Sequence, residues 1–303
     1  MEQTALWQPG NERIAAARIS AFMASVNRRW QAGCADYAGL WRWSVAQPEA
    51  FWTSVWDECA VLGERGQTVL ENADRMPGTN WFPQARLNYA ENLLRRRDAA
   101  DALIFWGEDK VRRRLSHGEL YAQVSRCMQA LQAAGVGEGD RVAAYLPNMP
   151  EALIAMLATA SLGAIWSSAS PDFGVQGVLD RFGQIEPRVL LCVDGYWYNG
   201  KQVDCLAKNS QIAARMPSLV RTVVVSYLNE SPSLASIPNG VLYVDFVAPF
   251  AASEIRFRPL GFAHPLFIMF SSGTTGIPKC IVHCHGGALL QHLKEHQLHG
   301  DVW

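Results

Sequence analysis

The sequence contains no CxxC pair, no marked excess of charge of either sign and no apolar run long enough to cross a bilayer. Its seven cysteines are odd in number and widely spaced, which favours reduced thiols over a disulfide framework. The formal net charge of -1 provides no general attraction to nucleic acid or to an anionic membrane. The longest apolar run, residues 152–166, is interrupted by Thr159, Ser161 and Gly163 and is too short to span the hydrocarbon core.

The first residues, MEQTALWQPGNER, lack the apolar segment of a secretory signal peptide. The sequence also has no internal repeat and no low-complexity tract. An apolar fraction of 49% with 18% charged residues is typical of a globular protein, and 303 residues suffice for one or two domains. Together these features predict a soluble cytoplasmic protein that binds neither nucleic acid nor membranes. They leave its oligomeric state open.

Tryptophan is concentrated in the first third of the chain. Seven of the eleven tryptophans lie at or before Trp81. Phe51, Val55 and Cys59 recur at helical spacing behind Pro48, which suits a first helical turn. The aromatic residues could form a ligand box, but helical spacing is mainly a packing signal. We therefore interpret residues 1–100 as a helical, Trp-rich N-terminal cap that buries its rings against the main body.

From Asp101 the pattern changes to strand, turn, strand and helix. The segments ALIFW and VRRRL flank the turn GEDK, which indicates a β-hairpin. Ser116 and Glu119 form an S-x-x-E capping box before an apolar helical face, and Gly135 follows as a helix stop. The glycines of GVGEG, residues 135–139, lie after a helix and before a strand. That order excludes a dinucleotide-binding GxGxxG turn, which follows a strand and opens a helix.

Short apolar runs alternate with helical segments in the rest of the chain. RVAAYL is typical of a strand, and Asn148 is expected to open a helix that continues through Leu162. Four further runs, AIW, RVLLCV, LVRTVVV and VLYVDF, are interpreted as strands between helices or turns. This alternation predicts an α/β fold of βαβ units with a largely parallel sheet covered on both faces.

The loop SSGTTGIPK, residues 271–279, is the most informative segment. Glycines permit positive φ, so successive N–H groups can converge on one point, and hydroxyls and one ammonium surround that point. A Walker loop would need GxxxxGK[ST] and a following helix, whereas CIVH after the lysine indicates a strand. We therefore predict a polyphosphate site between two strands. Its candidate residues are Ser271, Ser272, Gly273, Thr274, Thr275, Gly276 and Lys279.

SSGTTGIPK resembles the phosphate-loop signature of the adenylate-forming superfamily, which includes the acyl-CoA synthetases. HPLFIMFSSGTTGIPKCIVH, GGALLQHLKEHQLHG, GAIWSSASPDFGVQGVLDRFGQIEP, YNGK and RLNYAENLL resemble more narrowly its acetoacetyl branch. The resemblance extends from about Tyr37 to the last residues. Many members of the superfamily have glycine after the lysine, where this chain has Cys280.

The resemblance implies an acid–thiol ligase that uses ATP, Mg²⁺ and CoA. In this reaction acetoacetate attacks the α-phosphate of ATP, and the CoA thiol then displaces AMP from the acyl-adenylate. The loop residues would hold the β- and γ-phosphates with Mg²⁺ and orient the leaving pyrophosphate. No further metal site and no secure catalytic residue are expected.

The resemblance also implies an acyl and CoA tunnel near the segment WSSASPDF. An ordinary loop between a strand and a helix is the alternative interpretation of this segment. The candidate tunnel residues are Trp166, Ser167, Ser168, Ser170, Asp172 and Phe173.

In the superfamily, the adenine and ribose motifs, a hinge and a mobile C-terminal domain lie downstream of the loop. We therefore expect residues 101–303 to be a truncated α/β AMP-binding large domain that ends just after the phosphate loop, with the C-terminal domain absent. Such a chain is expected to have little or no adenylation activity, measured as acetoacetate-dependent ATP–pyrophosphate exchange. Another short-chain acyl-CoA synthetase, acting on butyrate or acetate, and a non-catalytic interaction module are the alternatives.

A zinc peptidase is a rival interpretation, because HLKEH matches the HxxEH pattern. His292 and His296 would share a helical face as zinc ligands, with Glu295 as general base. His283 or His285 would have to supply the third ligand. The longer resemblance includes this same segment, so zinc catalysis is disfavoured.

Overall fold

The computed structural model describes residues 6–271 and 276–302. Its helices are α1 Asn11–Ala16, α2 Arg18–Trp30, α3 Tyr37–Ala46, α4 Pro48–Glu58, α5 Tyr89–Leu93, α6 His117–Ala133, α7 Pro150–Ser161, α8 Val175–Phe182, α9 Leu206–Ala214, α10 Tyr243–Val247 and α11 His285–Leu293. A π-helical segment, Lys294–His299, continues α11.

The strands are mostly short, and the longer ones lie after residue 100. They are β1 Gly63–Glu64, β2 Leu70–Glu71, β3 Asn80–Trp81, β4 Arg86–Leu87, β5 Asp101–Gly107, β6 Val111–Ser116, β7 Arg141–Tyr145, β8 Ile165–Ala169, β9 Val189–Val193, β10 Gly195–Tyr198, β11 Lys201–Asp204, β12 Arg221–Val225, β13 Gly240–Leu242, β14 Leu260–Gly261, β15 Pro265–Phe270 and β16 Cys280–Cys284.

These elements form two compact units. The first unit takes its described residues from Met1–Arg86, Gly261–Ala263 and Gly286–Trp303, and the second comprises Leu87–Leu260 and His264–His285. The domain division expected at residue 100 stays a prediction.

The first unit is built mainly from helices α1 to α4, and its core is aromatic. Phe22 and Val55 are fully buried, and the ring centroids of Trp56 and Phe82 lie 5.3 Å apart. The rings of Trp52 and Trp81 meet edge to face at 6.3 Å. These contacts favour the interpretation of the tryptophans as packing residues, since such ring pairs add to the stabilisation from buried area.

The second unit contains a seven-stranded sheet with the order β13-β12-β9-β7-β8-β15-β16. All neighbouring strands are parallel except β15 and β16, which form an antiparallel pair at one edge. The central strands are buried: all five residues of β9, VLLCV, are inaccessible to solvent. Such continuous apolar runs are typical of parallel strands covered on both faces. The predicted α/β class is confirmed.

Several local predictions are also confirmed. The hairpin β5–β6 turns at residues 108–110, and Ser116 and Glu119 form both hydrogen bonds of the capping box at the start of α6. Helix α6 ends at Ala133, and Gly135 has a φ of +81°, as a left-handed helix stop requires.

Two boundaries differ from the sequence-based expectation. Helix α7 begins at Pro150 rather than at Asn148, because proline suits the first helical position, where no N–H donor is needed. The run VLYVDF is not one strand: β13 ends at Leu242, and Tyr243 begins α10. An apolar run of this length does not distinguish a strand from a buried helix by periodicity, and β13 is an edge strand that pairs only with β12.

In the part of the chain that the structure describes, none of the helices combines the length and apolarity needed to cross a membrane.

The capping box provides a stability prediction. Replacing Ser116 by Ala removes the side-chain acceptor of the Glu119 N–H and should lower the free energy of unfolding by about 1 kcal/mol. Chemical denaturation measures this change. The matched variant Ser233→Ala, at an exposed loop position, should leave stability within about 0.5 kcal/mol of the parent. Equal stability of S116A and the parent would contradict the capping role.

Candidate functional site

The predicted loop lies between two paired strands, as expected. Strands β15 and β16 are in register up to Phe270 and Cys280. Beyond that pair, the backbone N–H of Ser271 donates to the carbonyl oxygen of Lys279 at 3.1 Å and closes the loop at its base. The strand, loop, strand arrangement that distinguishes this site from a Walker loop is therefore present. Four of its candidate residues, Ser272, Gly273, Thr274 and Thr275, lie outside the described residues.

The described side of the loop faces solvent. Gly276 has a φ of +125°, a conformation that strains any residue with a Cβ, and no described atom lies within 4 Å of the place where a Cβ would stand. Ile277 is 69% exposed, and Lys279 is also exposed. Lys279 can therefore reach an external anion.

Gln184, which no motif in the sequence singles out, contacts the same part of the loop. Its Nε2 donates to the carbonyl oxygen of Pro278 at 2.8 Å. The Cys280 thiol donates to its Oε1 at 3.7 Å. Gln184 precedes the loop by more than 90 residues and lies just after α8, so only the tertiary fold brings the two together.

The segment expected to line the acyl and CoA tunnel divides into a buried and an exposed part. Trp166 and Ser167 lie in β8 and are buried, and the Ser167 hydroxyl donates to the carbonyl oxygen of Ile268 at 2.7 Å. These two residues therefore belong to the sheet interior. The other four, Ser168, Ser170, Asp172 and Phe173, are exposed.

Asp172 is the centre of a hydrogen-bonded cluster after β8. Its carboxylate accepts from the Tyr196 hydroxyl at 2.5 Å and from the Ser170 hydroxyl at 2.8 Å. These hydrogen bonds lower the pKa of Asp172 below its usual range, and the bond from Tyr196 has the largest effect. Asp172 is therefore held as an anion by neutral donors.

Three more side chains fix the same loop. The Tyr145 hydroxyl donates to the carbonyl oxygens of Pro171 at 2.8 Å and Phe173 at 2.5 Å. The Lys208 ammonium donates to the Pro171 carbonyl at 2.8 Å. The Arg181 guanidinium lies 4.2 Å from the Phe173 ring centroid, within cation–π distance. The loop is thus ordered by side chains from β7, α8 and α9.

The sheet topology explains why these residues meet. The chain passes from β7 to β8 on one side, then returns to β9 on the other side of β7. Such a reversal leaves a crevice at the carboxyl ends of the strands, where open α/β sheets bind their ligands. Tyr145 ends β7, the Asp172 loop follows β8, and Tyr196 lies just beyond β9. The cluster therefore occupies the ligand edge of the sheet.

Two histidines lie at the opposite end of the β15–β16 hairpin. The His285 N–H donates to the His264 carbonyl at 2.9 Å, and the two rings are 5.6 Å apart. His285 is fully buried, and its Nδ1 accepts from the Tyr89 N–H at 3.3 Å. Burial, with a smaller effect from His264, lowers the pKa of His285 to about 3. His285 is therefore a neutral, structural imidazole at neutral pH.

The HxxEH residues of the rival interpretation do not converge on a metal site. The ring centroids of His292 and His296 are 6.3 Å apart. The Glu295 carboxylate accepts from Lys294 at 2.6 Å and from Gln291 at 2.9 Å. Within residues 6–271 and 276–302, no group of three or more His, Cys, Asp or Glu side chains is arranged to hold a metal ion.

Comparison with known proteins defines the class of this chain. Residues 90–303 match the AMP-binding enzyme family, and residues 37–93 match the acetyl-coenzyme A synthetase N-terminus. The first match covers well over half of the sequence, and the chain therefore belongs to the AMP-binding enzyme family. The resemblance inferred from the loop and its flanking motifs is confirmed.

The most similar proteins include acetoacetyl-CoA synthetases. The acetoacetyl-coenzyme A synthetase of Rhizobium meliloti (strain 1021) is 54% identical over 97% of this chain and 45% of its own length. The solved acetoacetyl-CoA synthetase from Streptomyces lividans is 40% identical, with a TM-score of 0.92 over 99% of this chain and 46% of its own. A malonamoyl-CoA synthetase of Penicillium aethiopicum is 38% identical over 97% of this chain and 44% of its own length. The chain thus spans about half the length of these relatives.

The buried His285 provides a pH prediction. Because its folded pKa of about 3 lies below the unfolded value near 6.5, its stabilising effect is complete above pH 6.5 and is lost as the pH falls toward 3. In that window it should contribute a slope of about 1.4 kcal/mol per pH unit. Asn can replace the Nδ1 acceptor without titrating, so His285→Asn should flatten the slope of unfolding free energy between pH 6.5 and 4.

The matched control is His283→Asn, the same substitution at an exposed position of β16, which measures the general effect of replacing a histidine by asparagine. An H285N variant as acid-sensitive as the parent would show that His285 is not held neutral by burial.

Proposed function

We propose that this chain forms the phosphate-binding part of an acid–thiol ligase that activates acetoacetate with ATP and transfers it to CoA. The observation that carries the proposal is the closed bend at residues 271–279, between β15 and β16. Its base is fixed by the Ser271–Lys279 hydrogen bond, its described side is open, and the exposed Lys279 supplies a cation. Backbone N–H donors of a glycine-containing loop together with one mobile cation would suit the β- and γ-phosphates of ATP.

Different loop residues would make different contacts with the triphosphate. Ser271, Ser272, Thr274 and Thr275 would donate hydroxyl hydrogen bonds, Gly273 and Gly276 would let the backbone approach the phosphates, and Lys279 would neutralise their charge. Of the loop residues that the structure describes, none is a carboxylate. Mg²⁺ would therefore be held chiefly through phosphate oxygens and water, which suits its preference for octahedral oxygen ligands.

With the triphosphate held in this loop, the reaction would proceed in two steps. The acetoacetate carboxylate forms a bond to the α-phosphorus while the bond to the pyrophosphate oxygen breaks, and the loop stabilises the charge that develops on the pyrophosphate. The CoA thiol then forms a thioester with the acyl carbon. AMP leaves with the electron pair of the acyl–phosphate bond, and the thiol proton passes to solvent or base.

The acyl and CoA groups would approach along the loop after β8. Its exposed residues lie at the carboxyl edge of the sheet, and Tyr145, Tyr196 and Lys208 hold that loop in one conformation. Preorganisation of this kind lowers the entropy lost when a ligand binds. We propose that Ser168, Ser170, Asp172 and Phe173 face this path and that Trp166 and Ser167 support it from the sheet.

Acetoacetate is the proposed acyl substrate because the similar proteins from Rhizobium meliloti and Streptomyces lividans are named for acetoacetyl-CoA. The relative from Penicillium is named for malonamoyl-CoA. Malonamate carries an amino group where acetoacetate carries a methyl group, so both acids present a carbonyl at the same position. Discrimination against butyrate or acetate would then depend on a donor to that carbonyl. With acetoacetate as its substrate, the enzyme would act in lipid and fatty acid metabolism and in ketone-body utilisation. We also propose that it acts in the cytoplasm.

The phosphate site can be tested directly with this chain. Binding of inorganic pyrophosphate in the presence of Mg²⁺ should weaken by roughly 10- to 100-fold when Lys279 is replaced by Ala, because one charge-assisted hydrogen bond contributes about 1.5–3 kcal/mol. Isothermal titration calorimetry measures the affinity.

Lys110→Ala is the matched control, because Lys110 is also exposed and pairs with Asp109 in the β5–β6 turn. Its affinity for pyrophosphate should equal that of the parent. Equal affinity of K279A and the parent, or no binding at all by the parent chain, would contradict the proposed phosphate site.

A further inference from the structure

Lys279 lies between two residues that contact one glutamine side chain. Pro278 accepts from the Gln184 Nε2 at 2.8 Å, and Cys280 donates its thiol hydrogen to the Gln184 Oε1 at 3.7 Å. The donor and the acceptor of one amide group therefore both contact the segment of the loop that carries Lys279. We call this arrangement, Gln184 with Pro278 and Cys280, the glutamine clamp.

Gln184 itself is anchored to a helix. Its Nε2 also donates to the carbonyl oxygen of Asp180, in the last turn of α8, at 2.6 Å. Phe182, in the same turn, is fully buried and lies 6.5 Å from the Phe270 ring at the end of β15. The clamp thus connects the segment Pro278–Cys280 to the end of α8, and that end of the helix packs against the end of β15.

The backbone of Lys279 is consequently held on several sides. Its own carbonyl accepts from the Ser271 N–H at 3.1 Å, and the clamp binds the residues before and after it. An exposed lysine has large conformational freedom, and fixing its backbone lowers the entropy that the side chain must lose to reach a phosphate.

We propose that Gln184 is a positioning residue for the phosphate loop: it fixes the segment Pro278–Cys280 so that Lys279 is presented to the leaving pyrophosphate. This inference rests on the proposed function. It also gives a role to Cys280, which stands where many superfamily members have glycine, because a thiol supplies a donor to the Gln184 Oε1 and a glycine cannot.

Two readouts separate the clamp from its functional effect. The first is the alkylation rate of Cys280 by iodoacetamide, followed by peptide mass spectrometry, since Cys280 is an exposed cysteine. The second is the affinity for inorganic pyrophosphate with Mg²⁺. Both are measured on the 303-residue chain, and thermal denaturation verifies that each variant is folded.

The test variant is Gln184→Met, which keeps the side-chain length and removes both hydrogen-bonding functions. We expect faster alkylation of Cys280 and roughly three- to tenfold weaker pyrophosphate binding, as expected for the loss of neutral hydrogen bonds. The matched control is Gln176→Met, because Gln176 lies on α8, the helix to which Gln184 is anchored, and bonds Asp180 and Arg215 instead of the loop. Both readouts should stay at parental values in Q176M.

Substitutions at Cys280 test the other half of the clamp. Cys280→Ser retains a donor and should keep pyrophosphate affinity near the parental value, whereas Cys280→Gly removes the donor and should weaken binding two- to fivefold, roughly the effect of one weak hydrogen bond. Equal affinities of C280G and C280S would show that the thiol has no part in the clamp.

The outcomes distinguish this inference from the proposed function. Faster alkylation of Q184M with unchanged pyrophosphate affinity would overturn the positioning role, and an unchanged alkylation rate would show that the clamp does not exist in solution. A parent chain that binds no pyrophosphate would overturn the proposed function, and this role of Gln184 with it, whereas loss of affinity in Q184M alone supports both.

Discussion

The antiparallel pairing of β15 with β16 is the constraint on which the candidate site depends. It brings Ser271 and Lys279, the two ends of a nine-residue loop, within one hydrogen bond of each other. The pairing is itself anchored in the sheet, because β15 lies beside β8 and the buried Ser167 donates to the Ile268 carbonyl. A chain of contacts thus runs from the core of the sheet to the base of the loop, and the described residues 276, 277 and 279 remain exposed.

Helix α8 relates the two parts of the proposed site. Arg181 in this helix stacks on Phe173, in the loop expected to guide the acyl and CoA groups. Gln184, just beyond its end, contacts the loop expected to hold the triphosphate. The helix and the residue that follows it therefore contact both candidate segments. A ligase of this class must place an acyl carboxylate in line with a phosphate, and a shared rigid support serves that alignment.

Features that depend on residues close together in the sequence could be predicted from the sequence alone. Ser116 and Glu119 predicted the start of a helix, because both partners of the capping box lie within one helical turn. The lysine followed by CIVH predicted a strand after the loop, and β16 begins at Cys280 as that pattern requires. The resemblance of the loop and its flanking motifs to acyl-CoA synthetases predicted the family.

Contacts between distant segments could not be read in this way. No sequence pattern connects Gln184 with Pro278, or Tyr196 with Asp172, because only the tertiary fold brings these distant segments together. The prediction of one strand at VLYVDF was wrong for a related reason: its hydrophobicity fits a strand or a helix, and the change from β13 to α10 at Tyr243 has no local signal in the run. Within WSSASPDF, Ser168 is exposed although it lies in β8 beside the buried Ser167, and that difference also depends on tertiary packing.

The central claim is that the bend between β15 and β16 receives the phosphates of ATP. A crystal structure of this chain with ATP and Mg²⁺ tests it most directly. The account predicts electron density for the β- and γ-phosphates against residues 271–279, with the Lys279 ammonium in contact. Ordered nucleotide bound elsewhere on the chain, with this bend unoccupied, would contradict it.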